Sequence, residues 1–315
     1  MTAQYTVDNA PNDTGSLWRP NRDRAKLSQN IVKLICGAFA AVSIVTTLGI
    51  VATLVFETIS FLQQVPLGQF LTDRRWTPLF ASQEFGIFVL VSATVMISTI
   101  AILVAMPLGL LAAVCLSEYA SPNFRRILKP ILEILAGVPT VVYGYFALLT
   151  VTPVLQLLLP NLKGFNSISA GLVLGIMITP LVASLSEDAI YSVPQRLRDG
   201  AYALGTTKRE TVISVVLPAA LSGIVSSLIL AVSRAVGETM IVTLAAGSNP
   251  TLGLNPFVPV MTMTAFIVQV TKGDAVHGSI AYQTLFAVGT TLFLITLVLN
   301  AFSFWFVRRF REKYD

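Results

Sequence analysis

Apolar positions along this chain gather into long charge-free blocks: residues 34–56 (23 residues), 85–117 (33), 134–162 (29), 164–186 (23) and 275–307 (33). A helix of about 20 apolar residues crosses a bilayer, so these blocks predict five membrane spans. A sixth block begins at Thr211, is interrupted by Arg234 and Glu238, and resumes through Thr239-Met240-Ile241-Val242 to Gly247. It predicts one further span carrying a buried ionic pair. Gly-Ser-Asn-Pro at 247–250 ends that span, and Gly253, Asn255, Pro256 and Pro259 forbid a continuous helix beyond it. The apolar stretch 257–269 has only 13 residues, too few to cross, and reads as an interfacial or re-entrant piece. The predicted fold is therefore all-α and polytopic, with six spans.

Composition supports a lipid environment. Of 315 residues, 54% are hydrophobic and 12% charged, against about 45–50% and 25% in soluble domains. Twenty-one basic and sixteen acidic side chains are too few to clothe a soluble fold of this length. The formal net charge of +5 is accounted for by basic loops on an anionic leaflet, without nucleic acid as a partner. Cys36 and Cys115 both fall inside apolar blocks, where they read as small packed apolar residues rather than a disulfide or metal site.

The distribution of the bases predicts orientation. Sixteen fall in the N-terminal segment, the second and fourth connections and the tail, four on the opposite face, and Arg234 within a span. The positive-inside rule then makes both termini cytoplasmic. Residues 1–30 form a polar cytoplasmic segment without the apolar core of a signal peptide; positions 18–33 read either as an amphipathic surface helix or as a disordered tail. Residues 31–307 form the six-span domain, and 308–315 a cytoplasmic tail.

The longest cytoplasmic connection, 193–218, reads as helix (196–204), a stop at Gly205, and a second helix (208–216) terminated by Leu217-Pro218. Gly200, Ala201 and Ala203 would let a partner approach closely, with charges at the rim. An ordinary amphipathic hairpin on the inner surface is the alternative. Within the fifth span, Arg234 and Glu238 lie four residues apart, on one helix face and within reach of each other. With a rise of 1.5 Å per residue, Arg234 would sit roughly 18–25 Å into the span. A charge at that depth costs about 2.5–3.5 kcal/mol on insertion scales, so it faces protein or a water path. Two readings follow: a self-neutralising pair that stabilises packing, or an Arg234 fork placed on the path of an anion and moderated by Glu238.

Elsewhere, Pro139 and Pro153 predict bends in the third span, and Gly137, Gly144, Ser169, Ala170, Gly171 and Gly175 predict close helix packing or space for a path. Trp76 reads as a contact for a solute receptor or as an interfacial anchor. Glu133, Glu187 and Asp188 read as interfacial charges, and His277 as a solvated loop residue. The sequence contains no G-x-x-x-x-G-K-[ST] phosphate loop and no His-Glu-x-x-His motif.

The spacing Asp199-Gly200-Ala201, three residues, Gly205, nine residues, Val215, one residue, Leu217-Pro218 resembles the EAA loop of ABC-importer permease subunits. It departs from that pattern in Asp199 for Glu and Gly200 for Ala. The segment Ser233-Arg234-Ala235-Val236-Gly237-Glu238-Thr239-Met240 resembles the Arg-Ala-x-Gly-Glu-Thr segment of phosphate-specific ABC permeases. The likeness extends through Phe70, Trp76-Thr77-Pro78, Phe85-Gly86, Pro107-Leu108-Gly109, Ser117-Glu118-Tyr119-Ala120 and 137–144. Met240 with Ala246-Gly247-Ser248-Asn249 is similar to the PstC type of subunit.

This resemblance implies the type I ABC-importer permease fold and a place in a bacterial inner membrane. It implies a PstA-type permease partner, two PstB-type ATP-binding subunits, an external PstS-type phosphate-binding protein, and phosphate as cargo. Arg234, Glu238 and Thr239 would line the pathway, and Asp199, Gly200, Ala201, Gly205, Leu217 and Pro218 would couple to the ATPases. No cofactor would be bound by this chain, ATP and Mg belonging to the partners. A permease for another oxyanion, such as molybdate or sulfate, and a secondary phosphate carrier are the competing readings.

Overall fold

The computed structural model of the protein describes residues 22–80, 82–273, 275–276 and 278–310. The expectations for residues 1–21, His277 and the last five residues lie outside these. The described residues are helical, apart from turns and one isolated antiparallel bridge between Trp76 and Phe85. In chain order the helices are α1 (Arg22–Gln64), α2 (Leu67–Thr72), α3 (Phe88–Val114), α4 (Pro122–Ala136), α5 (Thr140–Phe146), α6 (Thr152–Leu158) and α7 (Ser167–Tyr191). They continue with α8 (Gln195–Ala203), α9 (Lys208–Thr211), α10 (Leu217–Val236), α11 (Met240–Ala245), α12 (Met263–Lys272) and α13 (Ile280–Phe310).

Six helical stretches are long and apolar enough to cross a membrane: Gln29–Gln64, Phe88–Tyr119, Thr140–Leu158, Ser167–Tyr191, Lys208–Val236 and Ile280–Phe306. The chain is thus an all-α, multi-pass membrane protein. It divides into two units. The first ends at Thr53 and contains the earlier part of α1, whose apolar residues, such as Leu34, Phe39 and Val45, face outward. The second, from Leu54, holds the remaining helices and the core.

Two expected spans have different limits. The charge-free block 134–162 is not one helix: α4 stops at Ala136, and the span begins at Thr140, with Pro139 just before it. Pro139 therefore marks an entry to the span rather than a bend within it, because an X-Pro step disfavours helix in the preceding residue. In the other direction, Leu217-Pro218 does not end a helix. The chain widens into a π-turn over Val212–Val216 and runs on into α10. A similar widening over Ala147–Val151 precedes Pro153. A wider turn relieves the clash between a proline ring and the carbonyl one turn back, so both helices continue past their prolines.

The core is built on α3 against α7. A Cβ placed on Gly171 would lie 2.7 Å from Ile100 Cβ, and one on Gly175 would lie 2.7 Å from the Ala101 carbonyl. Small residues let these backbones approach, which is how helices gain packing energy where no hydrophobic effect separates them from lipid. Ser186 and Ser227 share a buried hydrogen bond of 2.8 Å between α7 and α10. Trp76 is 1% exposed and stacks edge-on against Phe266 of α12 at 5.0 Å. It is neither a receptor contact nor an interfacial anchor: Phe61, Phe70, Phe85 and Phe266 surround it with enough apolar surface to bury it. Cys36 and Cys115 are free and exposed rather than packed.

Candidate functional site

The helix carrying Arg234 ends two residues later, at Val236, with Gly237 as its cap. Gly237 and Glu238 form a break, and α11 restarts at Met240. The expected ionic pair does not form. Four-residue spacing brings side chains together only on a continuous helix, and here the helix has stopped. Among the described residues no salt bridge joins Arg234 to Glu238. Glu238 is 8% exposed and turns forward instead, its Oε1 accepting the amides of Met240 at 3.1 Å and Ile241 at 3.3 Å. These are orphan donors at the start of α11, where a carboxylate satisfies both hydrogen bonding and the helix dipole.

The break is held from outside. Thr264 Oγ1 donates to the Glu238 carbonyl at 2.7 Å, and the Met263 amide donates to Thr94 Oγ1 of α3 at 3.1 Å. The segment 257–269, expected to be interfacial or re-entrant, is helical only from Met263, and its residues Met263 to Phe266 are buried in the core rather than lying at an interface. On the other side of α11, Leu244 Cδ1 would lie 2.8 Å from a Cβ on Gly144. Thr239 is half-buried, its hydroxyl donating to the Gly237 carbonyl at 3.3 Å while its carbonyl receives Thr243 Oγ1 at 2.6 Å. The sequence contained a signal for this break, Gly237, but no indication that Thr264 and Thr94 stabilise it.

Arg234 is exposed on the lone chain, and its Nη2 lies 3.8 Å from Met177 Sδ on α7. A thioether is a weak acceptor and leaves most of a guanidinium's five donors available. Met177 lies ten residues into the 25-residue α7, so at 1.5 Å per residue Arg234 is about 15 Å from one end of that span. That is near the middle of α7, away from both of its ends.

At the opposite end of α10 the 193–218 connection forms the expected knob. Helix α8 is followed by Gly205 with φ +82°, a left-handed conformation that glycine adopts without strain, and Thr207 caps α9 in a reciprocal box with Glu210. Asp199, Gly200, Tyr202 and Leu204 face outward, Leu204 being 87% exposed. Ala201 faces inward and is buried, so it offers no surface to a partner; its carbonyl receives Thr206 Oγ1 at 2.8 Å. Pro218 is exposed and Leu217 half-buried within the continuing helix.

Arg198 is not a rim charge either. It is buried and donates to Glu118 Oε1 and the Ile190 carbonyl, both at 2.9 Å, and to the Val193 carbonyl. Asp188 is exposed beside the basic second connection, as expected of an interfacial charge, but Glu187 is not one. Glu187 is 1% exposed and paired with Arg125 and Lys129 of α4, while Asp188 takes the same lysine at 3.0 Å. The hydrogen bonds that Lys129 donates to Glu187 and Asp188 raise its pKa above the ordinary value.

A family model described as a binding-protein-dependent transport system inner membrane component matches residues 105–313, which include the knob and the α10–α11 break. The chain belongs to that family. The permease is 32% identical over 231 residues to the probable ABC transporter permease protein YqgH of Bacillus subtilis, covering 73% of this chain and 74% of that one. It is 33% identical over 259 residues to the phosphate transport system permease protein PstC of Mesorhizobium japonicum, covering 76% and 78%. A chain from the crystal structure of a bacterial alginate ABC transporter, in complex with an alginate-bound periplasmic protein, shares the permease's fold. The TM-score is 0.63 over 92% of this chain and 100% of that one, at 16% identity.

Proposed function

We propose that this permease is the PstC-type subunit of an ATP-driven phosphate importer in a bacterial inner membrane. It forms half of the translocation pathway with a PstA-type partner, with both termini and the knob in the cytoplasm. Two PstB-type subunits hydrolyse ATP with Mg bound at their own sites, and an external PstS-type protein delivers phosphate. This chain itself binds no cofactor. What carries the reading is Arg234: a guanidinium near the middle of α7, beside a thioether and paired with no carboxylate among the described residues. Its planar donors match the edge of a phosphate oxyanion and remain charged on desolvation. Thr239 lines the pathway at the helix break, which Glu238 holds in shape by capping α11. Relatives named phosphate permeases at comparable coverage support phosphate over other oxyanions.

ATP binding closes the ATPases on Asp199, Gly200, Gly205 and the exposed tip of the knob, drawing the two knobs together and opening the pathway outward; hydrolysis reverses this. Leu217 and Pro218 carry the knob's motion into α10, and Ala201 supports the knob from within. The test is uptake of radiolabelled phosphate by the reconstituted four-component transporter, with molybdate and sulfate as competitors. Uptake that requires ATP and the binding protein, and resists both competitors, is the expected result. Uptake of molybdate or sulfate in place of phosphate assigns the chain to another oxyanion, and uptake without ATP assigns it to a secondary carrier.

A further inference from the structure

The knob runs without a break into α10 on one side and is joined to α7 on the other by only Ser192, Val193 and Pro194, the non-helical hinge between it and that span. A knob free to swing there would absorb a partner's push instead of passing it on. Arg198 spans that hinge. From α8 it reaches Glu118, just beyond α3, and the carbonyls of Ile190, in the last turn of α7, and Val193, in the hinge itself. The Arg198 and Glu118 side chains are 10% and 7% exposed. A buried ion pair is weak evidence for stability, because desolvation offsets the attraction; its best-attested use is to specify one arrangement among several. The knob is also laced internally, Thr206 Oγ1 lying 2.9 Å from Thr211 Oγ1. It therefore moves as one body with the start of α10, and its angle to α7 is set across the Ser192–Pro194 link.

We infer that the Arg198–Glu118 clamp is the positioning element that transmits displacement of the knob to the ends of α3 and α7. Arg198 touches neither cargo nor nucleotide. It acts by making the Ser192–Pro194 hinge rigid. Helix α7 then carries the movement to Met177, which bears on Arg234. The inference rests on the coupling role proposed for the knob and adds the residues through which that role is exerted.

The test uses the complete reconstituted transporter with Glu118→Gln, Arg198→Lys and the exchanged pair Glu118→Arg with Arg198→Glu. Glu118→Gln keeps size and an acceptor oxygen but leaves the buried Arg198 charge uncompensated, so function is read per assembled complex. The readouts are the amount of assembled complex, ATP hydrolysis with and without binding protein, and phosphate moved per ATP. The expected result for Glu118→Gln is near-normal assembly and basal hydrolysis, with binding-protein stimulation and phosphate per ATP reduced about tenfold. Arg198→Lys, which cannot reach all three acceptors with a fork, shows a smaller loss, and the exchanged pair recovers part of it. Unchanged phosphate per ATP in assembled complexes overturns the clamp, as does a loss that tracks only the amount of complex. If phosphate is not the cargo, the wild type fails to transport it while still showing binding-protein stimulation, and that ratio alone then tests the clamp.

Discussion

Arg234 and Met177, fifty-seven residues apart, meet at 3.8 Å between a guanidinium nitrogen and a thioether sulfur. Four residues beyond Arg234, Glu238 spends its carboxylate on the amides of α11. The positive charge beside the middle of α7 is thus left for something other than its neighbour in sequence.

Arg234→Gln keeps a polar, unbranched though shorter side chain and removes the charge. Phosphate uptake by the assembled transporter should fall by tenfold or more, with complex yield unchanged because no ion pair of the fold is lost. Arg234→Lys should retain part of the uptake, since a point charge lacks the planar fork. Isotope uptake normalised to purified complex checks both, and wild-type uptake by Arg234→Gln removes the residue from the pathway.

Glu238 separates two roles by substitution. Glu238→Gln preserves the acceptor of both α11 amides and should leave thermal stability nearly unchanged. Glu238→Ala strips the cap and should cost about 1 kcal/mol. Thermal unfolding in detergent distinguishes them, and equal destabilisation by both would show that the charge, rather than the cap, is what matters.

Gly175 leaves no room for a side chain, its site for a Cβ lying 2.7 Å from both the Ala101 carbonyl and Val104 Cβ. Gly175→Val should destabilise the α3–α7 core by about 1–3 kcal/mol, as overpacking does. Gly200→Ala, inside α8 where nothing lies within 4 Å, is the control and should stabilise by up to about 1 kcal/mol. Parallel melting curves read the difference.

Glu187 anchors α4 to α7. Glu187→Gln leaves Arg125 and Lys129 without their buried anion, and since both bases are about a quarter to a third exposed, the cost falls below the ~3–5 kcal/mol of a fully buried pair. Because the Lys129 pKa is raised in the fold, its contribution is fully present below the ordinary lysine value and is lost only as pH rises through the folded one. Melting temperature should therefore be insensitive to Lys129 between pH 7 and 9, as a comparison with Lys129→Met across that range would show.

Much of this chain was legible along its length because lipid imposes a one-dimensional rule. Backbone polar groups in hydrocarbon must be satisfied within the segment, so the charge-free blocks had to become helices, and the count of six spans follows. The glycine turn at 205 was equally readable, because it depends on local backbone sterics. What failed were inferences about side-chain partners. Arg234 and Glu238 sit at helical spacing, yet Gly237 interrupts the helix and α12 and α3 hold the break open. Arg198 and Glu187 look like surface charges in sequence and are buried because acceptors and bases eighty and about sixty residues away converge on them. Sequence alone therefore determined the spans and the position of the knob, through hydrophobicity and turn chemistry. Tertiary structure decided that Glu187, Glu118 and Arg198 are neutralised by partners and that Arg234 has no carboxylate partner among the described residues, because pairing is settled by distances between helices that no local pattern encodes.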